Sequence, residues 1–141
     1  MDPRPYSSTS DRSACLALLI GGKSAEHDEF ARFLDDCDPA AATVLEHDGK
    51  IAGFGGWVID EDGAAELVRA VIRSDLRRMG LGRFLVMYRL RQITQSGREI
   101  AFVRARVPAE AAGFYEKQGF KRQPGGMGGS VELVMKMKVC S

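Results

Sequence analysis

The chain has 141 residues, 45% of them hydrophobic, with 20 basic residues against 19 acidic ones and a formal net charge of +1. That length suits one domain with a two- or three-layer core and leaves no room for a second. The balanced charge argues against a nucleic-acid partner, no apolar run approaches the length of a membrane span, and the polar start lacks the apolar stretch of an export signal.

A first short strand is expected around Pro5 to Ser8. Asp11 can cap a helix through about Ile20, which Gly21 and Gly22 end. Cys15, Cys37 and Cys140 are odd in number, far apart and outside metal-ligand spacing, so reduced thiols in a cytoplasmic protein without a metal site are expected. Ser24 is an N-cap candidate for a second helix, with His27 in the capping-box position, Phe30, Phe33 and Leu34 as its buried stripe, and Pro39 beyond its end. Ala42–Glu46 and Ile51–Ile59 flank Asp48-Gly49, a hairpin signal, and Gly53, Gly55 and Gly56 invite a bulge or close packing in the second strand. Trp57 reads as core. Asp60 to Gly63 reads as a solvated turn.

Glu66 to Ile72 is rich in Val, Ile and Leu, as a largely buried strand is. Leu81, Phe84, Leu85, Tyr88, Leu90 and Ile93 then form a helical apolar face, leaving Arg83, Arg89, Arg91, Gln92 and Gln95 for water, and Gly97 suits the helix end. Glu99–Ala105 reads as a strand, Pro108 and Gly119 bracket a last helix, residues 123–130 are a loop, and Val131–Val139 is the closing strand. The expected architecture is a single α/β (α+β) domain over residues 1–141, a mixed, mostly antiparallel sheet flanked by helices.

Between the buried strand and the long helix lies Arg77-Arg78-Met79-Gly80-Leu81-Gly82. Glycines let a ligand approach the backbone, and the first N–H groups of a helix have no internal partner. The helix dipole and Arg77, Arg78 and Arg83 make an anion such as a diphosphate the natural guest. A close-packed turn with solvated arginines reads equally well from these residues alone. There is no GxxxxGK[ST] here, and Leu85 stands where GxGxxG needs its third glycine.

Strand, R-x-x-G-x-G as Arg77, Gly80 and Gly82, then helix resembles the acetyl-CoA motif of the GNAT acetyltransferases. Residues 107–122 resemble that family's later segment, with Ala111, Tyr115, Gly119 and Phe120 in place, although Pro108 stands where many relatives carry Asn. Residues 48–59 resemble its central hairpin and residues 132–137 its last strand. The resemblance implies a fold in which the strands at Glu66–Ile72 and Ile100–Ala105 are parallel central neighbours that splay apart. It implies acetyl-CoA as co-substrate, its diphosphate on Arg77, Arg78, Met79, Gly80, Leu81, Gly82 and Arg83, and its pantetheine on the backbone of Ala70, Val71 and Ile72. Tyr115 is then the expected acid, since a phenol stays protonated at neutral pH and can donate to a leaving thiolate. Glu66 is the expected base, as in histone-acetylating relatives, or else an ordinary partner of Arg69 or Arg104.

The expected activity is direct acetyl transfer to a primary amine of a small molecule or peptide, with no metal, nucleic-acid or membrane partner and with homodimerisation open. A non-catalytic acyl-CoA sensor or interaction module is the alternative. Arg69, Arg104 and Arg106 could grip an acceptor carboxylate, which would favour an amino acid or analogue; pairing of these arginines with Glu66, Glu99 or Glu110 is the competing expectation.

Overall fold

The computed structural model describes residues 2–19, 24–60, 62–76, 80–124 and 128–137. Its elements run β1 (Asp2–Pro5), α1 (Arg12–Leu16), α2 (Ser24–Asp36), β2 (Ala42–His47), β3 (Lys50–Ile59), β4 (Ala65–Ile72), α3 (Leu81–Gln95), β5 (Phe102–Pro108), α4 (Ala112–Lys117), β6 (Lys121–Arg122) and β7 (Ser130–Lys136). The strands form one sheet in the order β1-β2-β3-β4-β5-β7-β6. Of the pairs with a described register, β4 with β5 is parallel and the others are antiparallel, the mixed sheet expected above. The chain packs as two compact units, Met1–Trp57 with Arg69–Ser96, and Val58–Val68 with Gly97–Ser141.

In the first unit, β2 is buried on both faces. Val44 joins Tyr6, Cys15, Leu18, Phe30, Leu34, Ala42 and Phe54, while Leu45 joins Ala52, Leu76, Leu81 and Leu85. The β2–β3 hairpin turns through Asp48 and Gly49 at φ +52° and +74°, the positive pair that a two-residue turn of this hand requires. Its register passes from Leu45↔Gly53 to Glu46↔Ile51, so Ala52 is the extra residue of the β-bulge that the glycine-rich strand suggested.

Several boundaries differ from expectation. β1 lies at Asp2–Pro5 and not at Pro5–Ser8, because it pairs only with β2, and such an edge tolerates Pro3 and Pro5 without their N–H groups. Ser24 is already helical, and its cap and Ile20 to Gly22 fall outside the described residues. The last helix is preceded by a 3-10 turn at Ala109–Ala111, and β6, a two-residue strand, has no sequence signal of its own.

Asp11 stands at the N-cap of α1 but makes no capping hydrogen bond. Its carboxylate instead accepts from Arg4 Nη1 and Nη2 at 2.7 and 2.8 Å and from the Ser7 N–H at 2.8 Å, while Arg4 Nε donates to Glu46 at 2.6 Å. The Arg4 guanidinium holds the Asp11 carboxyl below the usual carboxylate range. A depressed folded-state pKa adds stability that is present above the unfolded value near 3.9 and is lost as pH falls through the folded one. Asp11→Asn is therefore expected to destabilise by about 2 kcal/mol at pH 7, a deficit that shrinks below about pH 4. Urea melts of both proteins at pH 7 and pH 3 measure it; an equal gap at both pH values would refute it.

Helix α3 presents Leu81, Leu85, Val86, Arg89 and Ile93 to the interior of the first unit. Arg89 and Gln92, expected in water, face inward. Arg89 is 1% exposed, with Nε donating to the Leu85 carbonyl at 3.1 Å and Nη1 to the Gly56 carbonyl at 3.0 Å. Gly55 makes the room: a Cβ there would lie 2.9 Å from Arg89 Nε. Gln92 accepts from Thr43 and from the Trp57 indole and donates to the Ala42 carbonyl, so its amide is satisfied inside. Phe84, expected inward, is exposed.

In the second unit, β5 runs beside the first part of β4 and antiparallel to β7. Val103, Ala105, Ala65, Leu67 and Leu133 are buried and, by strand alternation, share one face; Glu66, Arg104, Arg106 and Glu132 share the other. A Cβ on Gly119, just past α4, would meet Met135 at 3.2 Å, so the end of α4 lies on the apolar face.

Candidate active site

In the first unit the turn into α3 opens with Gly80 at φ +77°, ψ +12°, a conformation that costs other residues about 1–2 kcal/mol. A Cβ added there would meet nothing within 4 Å, so the glycine serves the backbone angle and the space beside it is open. The first turn of α3 holds no acidic residue, Gly82 is half-buried and Arg83 is exposed. The turn thus offers orphan N–H groups and positive charge to an anion. Arg77, Arg78 and Met79 lie outside the described residues.

The parallel ladder of β4 on β5 runs from Ala65↔Val103 to Leu67↔Ala105, whereas β4 itself continues to Ile72. Two residues past the ladder, Arg69 takes φ +55°, a left-handed angle rare for a non-glycine and unheralded in the sequence. Ala70, Val71 and Ile72 lie beyond that break, with Ala70 exposed. The splay expected of the central strands corresponds to this short ladder. Arg73 N–H donates to the Ala52 carbonyl at 2.8 Å, fixing the chain where it leaves β4.

In the second unit Tyr115 is 8% exposed. Its ring meets Phe114 edge-on at 5.1 Å and Phe120 at 5.7 Å. Its carbonyl accepts from the N–H groups of Gln118 and Phe120, and Gly119 at φ +104° reverses the chain behind it. Two aromatic neighbours thereby hold the ring, and the hydroxyl has no hydrogen-bond partner among the described residues. Glu66 is partly buried on the opposite face of this unit's sheet, with Oε1 3.4 Å from Arg106 Nη1. Its partner is therefore Arg106, and neither Arg69 nor Arg104. Tyr115 and Glu66 do not touch.

The arginines expected to read an acceptor carboxylate all stand in ion pairs. Arg69 is 3.6 Å from Glu29, and Arg106 is 3.3 Å from Glu132. Arg104 pairs with Asp60, with Asp62 at 3.3 Å and with Glu132 at 3.2 Å, and its guanidinium sits 5.4 Å from the Phe102 ring centre. Its fork is thus occupied by the protein's own carboxylates. Asp60 and Asp62, expected to be solvated, hold it. Cys15 is fully buried, and burial pushes its thiol up to about 12; Cys37 is pushed up for the same reason. Among the described residues no group of three His, Cys, Asp or Glu side chains could hold a metal ion, and no helix is long and apolar enough to cross a membrane.

No curated protein matches the sequence. Solved structures do match in fold. The ribosomal-protein-S18-alanine N-acetyltransferase of Escherichia coli is 20% identical over 99% of this chain and 96% of its own, with a TM-score of 0.76. An aminoglycoside 6'-acetyltransferase type Ii is 19% identical, with both chains fully covered and a TM-score of 0.78. An aminoglycoside 6'-N-acetyltransferase complexed with coenzyme A is 15% identical over 100% of this chain and 99% of its own, with a TM-score of 0.77. At these identities the likeness concerns the fold. A family model described as an acetyltransferase (GNAT) domain matches residues 38–122, from the approach to β2 through β6, and so takes in both the glycine turn and the Tyr115 helix. With more than half its length matched, the chain belongs to the GNAT acetyltransferase family.

Proposed function

We propose that residues 1–141 form one acetyl-CoA-dependent N-acetyltransferase domain that moves acetyl directly from the CoA thioester to a primary amine of a small molecule or peptide. The observation that carries this reading is the left-handed Gly80 with open space beside it, at the start of a helix whose first turn is free of acidic residues. The amides of Gly80, Leu81, Gly82 and Arg83, with Arg77, Arg78 and Met79, hold the diphosphate. The backbone of Ala70, Val71 and Ile72, beyond the end of the β4–β5 ladder, takes the pantetheine as an added strand.

The neutral amine attacks the thioester carbonyl, the C–N bond forms and the C–S bond breaks. Tyr115 gives its phenolic proton to the departing sulfur, and Glu66 takes the amine's proton through water. The two groups serve different atoms, the entering nitrogen and the leaving sulfur, whose proton transfers run in opposite senses. Direct transfer is favoured because the buried, protonated Cys15 makes a poor nucleophile. The occupied fork of Arg104 weakens the case for an acceptor chosen by its carboxylate.

Acetyl-CoA at about 100 times its Kd is expected to stabilise the protein by roughly 2.7 kcal/mol, with NAD and ATP doing little. Gly80→Val should lose most of that gain, because a branched residue strains the left-handed turn and fills the space beside it. Melting curves with each ligand, followed by release of free CoA thiol over a panel of amines, test the reading. Equal stabilisation of both proteins would refute the assigned turn, and acetyl-CoA binding without thiol release on any amine would make the chain an acyl-CoA sensor.

A further inference from the structure

In the first unit a cleft of about 490 Å³ opens between α1 and the β2–β3 hairpin, a volume suited to a small molecule. Ala14, Ala17 and Leu18 line it from α1 and Ile51 from β3, so part of the cleft is apolar. The charges that line the rest do not cancel in place. Arg4 carries one positive charge against the two carboxylates of Asp11 and Glu46. Both Asp11 oxygens accept from Arg4, and that side chain is 4% exposed. Glu46 is 33% exposed, and its Oε1 accepts from Arg4 at 2.6 Å while its Oε2 accepts no hydrogen bond among the described residues. The surplus negative charge therefore meets the cleft at Glu46. Lys50 supplies the opposite surplus: it is exposed and pairs with no carboxylate among the described residues. Arg73, on the remaining side, has Asp75 at 2.6 Å and brings none. We propose that this cleft binds an α-amino acid with an aliphatic side chain, its ammonium on Glu46, its carboxylate on Lys50 and its side chain against the apolar part.

Glu46 stands opposite Ile51 in the hairpin register, and Lys50 is the residue before Ile51, so an anion, a cation and an apolar contact come from neighbouring positions. An α-amino acid carries the matching three groups on one carbon. A simple carboxylic acid leaves Glu46 unanswered and a simple amine leaves Lys50 unanswered, and covering either charge without a partner costs affinity. A residue inside a peptide has neither charge to offer. The cleft is also separate from the anion site of the Gly80 turn. Val44 and the α1 residues Cys15 and Leu18 share one core cluster, whereas Leu45 and the α3 residues Leu81 and Leu85 share another. Neighbours on a strand point to opposite faces, so β2 lies between α1 and α3. The inference therefore stands without the acetyl-CoA reading.

Titration calorimetry with L-leucine, L-leucinamide, 4-methylpentanoate and glycine tests the site in the absence of any acyl donor, so that no transfer can occur. Leucine is expected to bind most tightly. The others lack the carboxylate, the amine or the side chain, and each should bind about tenfold or more weakly, the scale of one hydrogen bond to a charged group or of buried methylenes. Lys50→Met should weaken leucine about tenfold and leave leucinamide unchanged. Glu46→Gln, which keeps an oxygen for Arg4, should weaken leucine likewise and leave 4-methylpentanoate unchanged. Ala17→Phe fills the cleft from an exposed position and should abolish leucine binding. Because Lys50 and Ala17 are exposed, their variants should melt with the wild type. Saturating coenzyme A should leave the leucine affinity unchanged. The site is overturned if leucine gives no binding heat up to about 10 mM, if Lys50→Met weakens leucine and leucinamide equally, or if coenzyme A displaces leucine.

Discussion

Replacing Tyr115 by phenylalanine is expected to lower kcat by about 10²- to 10⁴-fold, the range typical of a lost general acid, while acetyl-CoA affinity stays nearly intact. The substitution removes one oxygen and keeps the ring that Phe114 and Phe120 contact edge-on, so the packing of α4 survives. The hydroxyl has no hydrogen-bond partner among the described residues, so its loss orphans no buried group. Stability and activity should therefore separate: melting temperature within a degree or so, turnover down by orders of magnitude. Single-turnover rates with the two proteins at saturating acetyl-CoA make the comparison. Wild-type turnover by the Phe variant would mean that the thiolate takes its proton from water.

The largest stability effect is expected at Arg89. Arg89→Ala withdraws the donor from the Gly56 carbonyl and opens a cavity beside Gly55, two losses that together cost about 3–5 kcal/mol. Gly55→Ala is expected to destabilise as well, since its Cβ would press on a guanidinium stem that is itself pinned at both ends. The two changes should not add. With Arg89 truncated, the new methyl at position 55 enters the vacated space, and the double variant should be more stable than the sum of the single ones by 1 kcal/mol or more. A double-mutant cycle from urea melts measures this, and strict additivity would show that Gly55 is not there to make room for Arg89.

Arg89 also marks where sequence reading fails. The β2–β3 hairpin, the Gly80 turn and the helix end at Gly97 were legible because each is fixed by residues adjacent in sequence, such as Asp48-Gly49 or a glycine in the left-handed region, whereas β4, expected to be largely buried, is buried only at Ala65 and Leu67 and exposes Arg69 and Ala70. Polarity alone sends Arg89 and Gln92 to water and Phe84 to the core. What reverses them is non-local: a missing side chain at Gly55, a carbonyl of Gly56 and the cluster of Thr43 and Trp57 around the Gln92 amide. In the candidate site the glycine turn and Tyr115 followed from motif spacing, whereas the partner of Glu66 did not. Competition overrides register there: Arg104 stands directly opposite Glu66 on β5, yet Arg104 is drawn to Asp60, Asp62 and Glu132, and Arg106 reaches Glu66 instead. The left-handed Arg69 had no signal either, because nothing in its neighbours asks for a positive φ.

A parallel pair cannot be closed by a hairpin, so Glu66 comes opposite Arg104 only after the whole of α3 has been looped out between them. The entropy of closing that loop is lost before any ladder hydrogen bond repays it, whereas β2 meets β3 across two residues. The order of assembly is therefore set by topology: the hairpin first, the β4–β5 seam late. Ion pairs that straddle long stretches of chain, such as Arg104 with Asp60, form with or after the seam. Contacts made that late are expected to slow unfolding more than they speed folding, so weakening the Arg104 cluster should show in the unfolding rate and hardly in the folding rate.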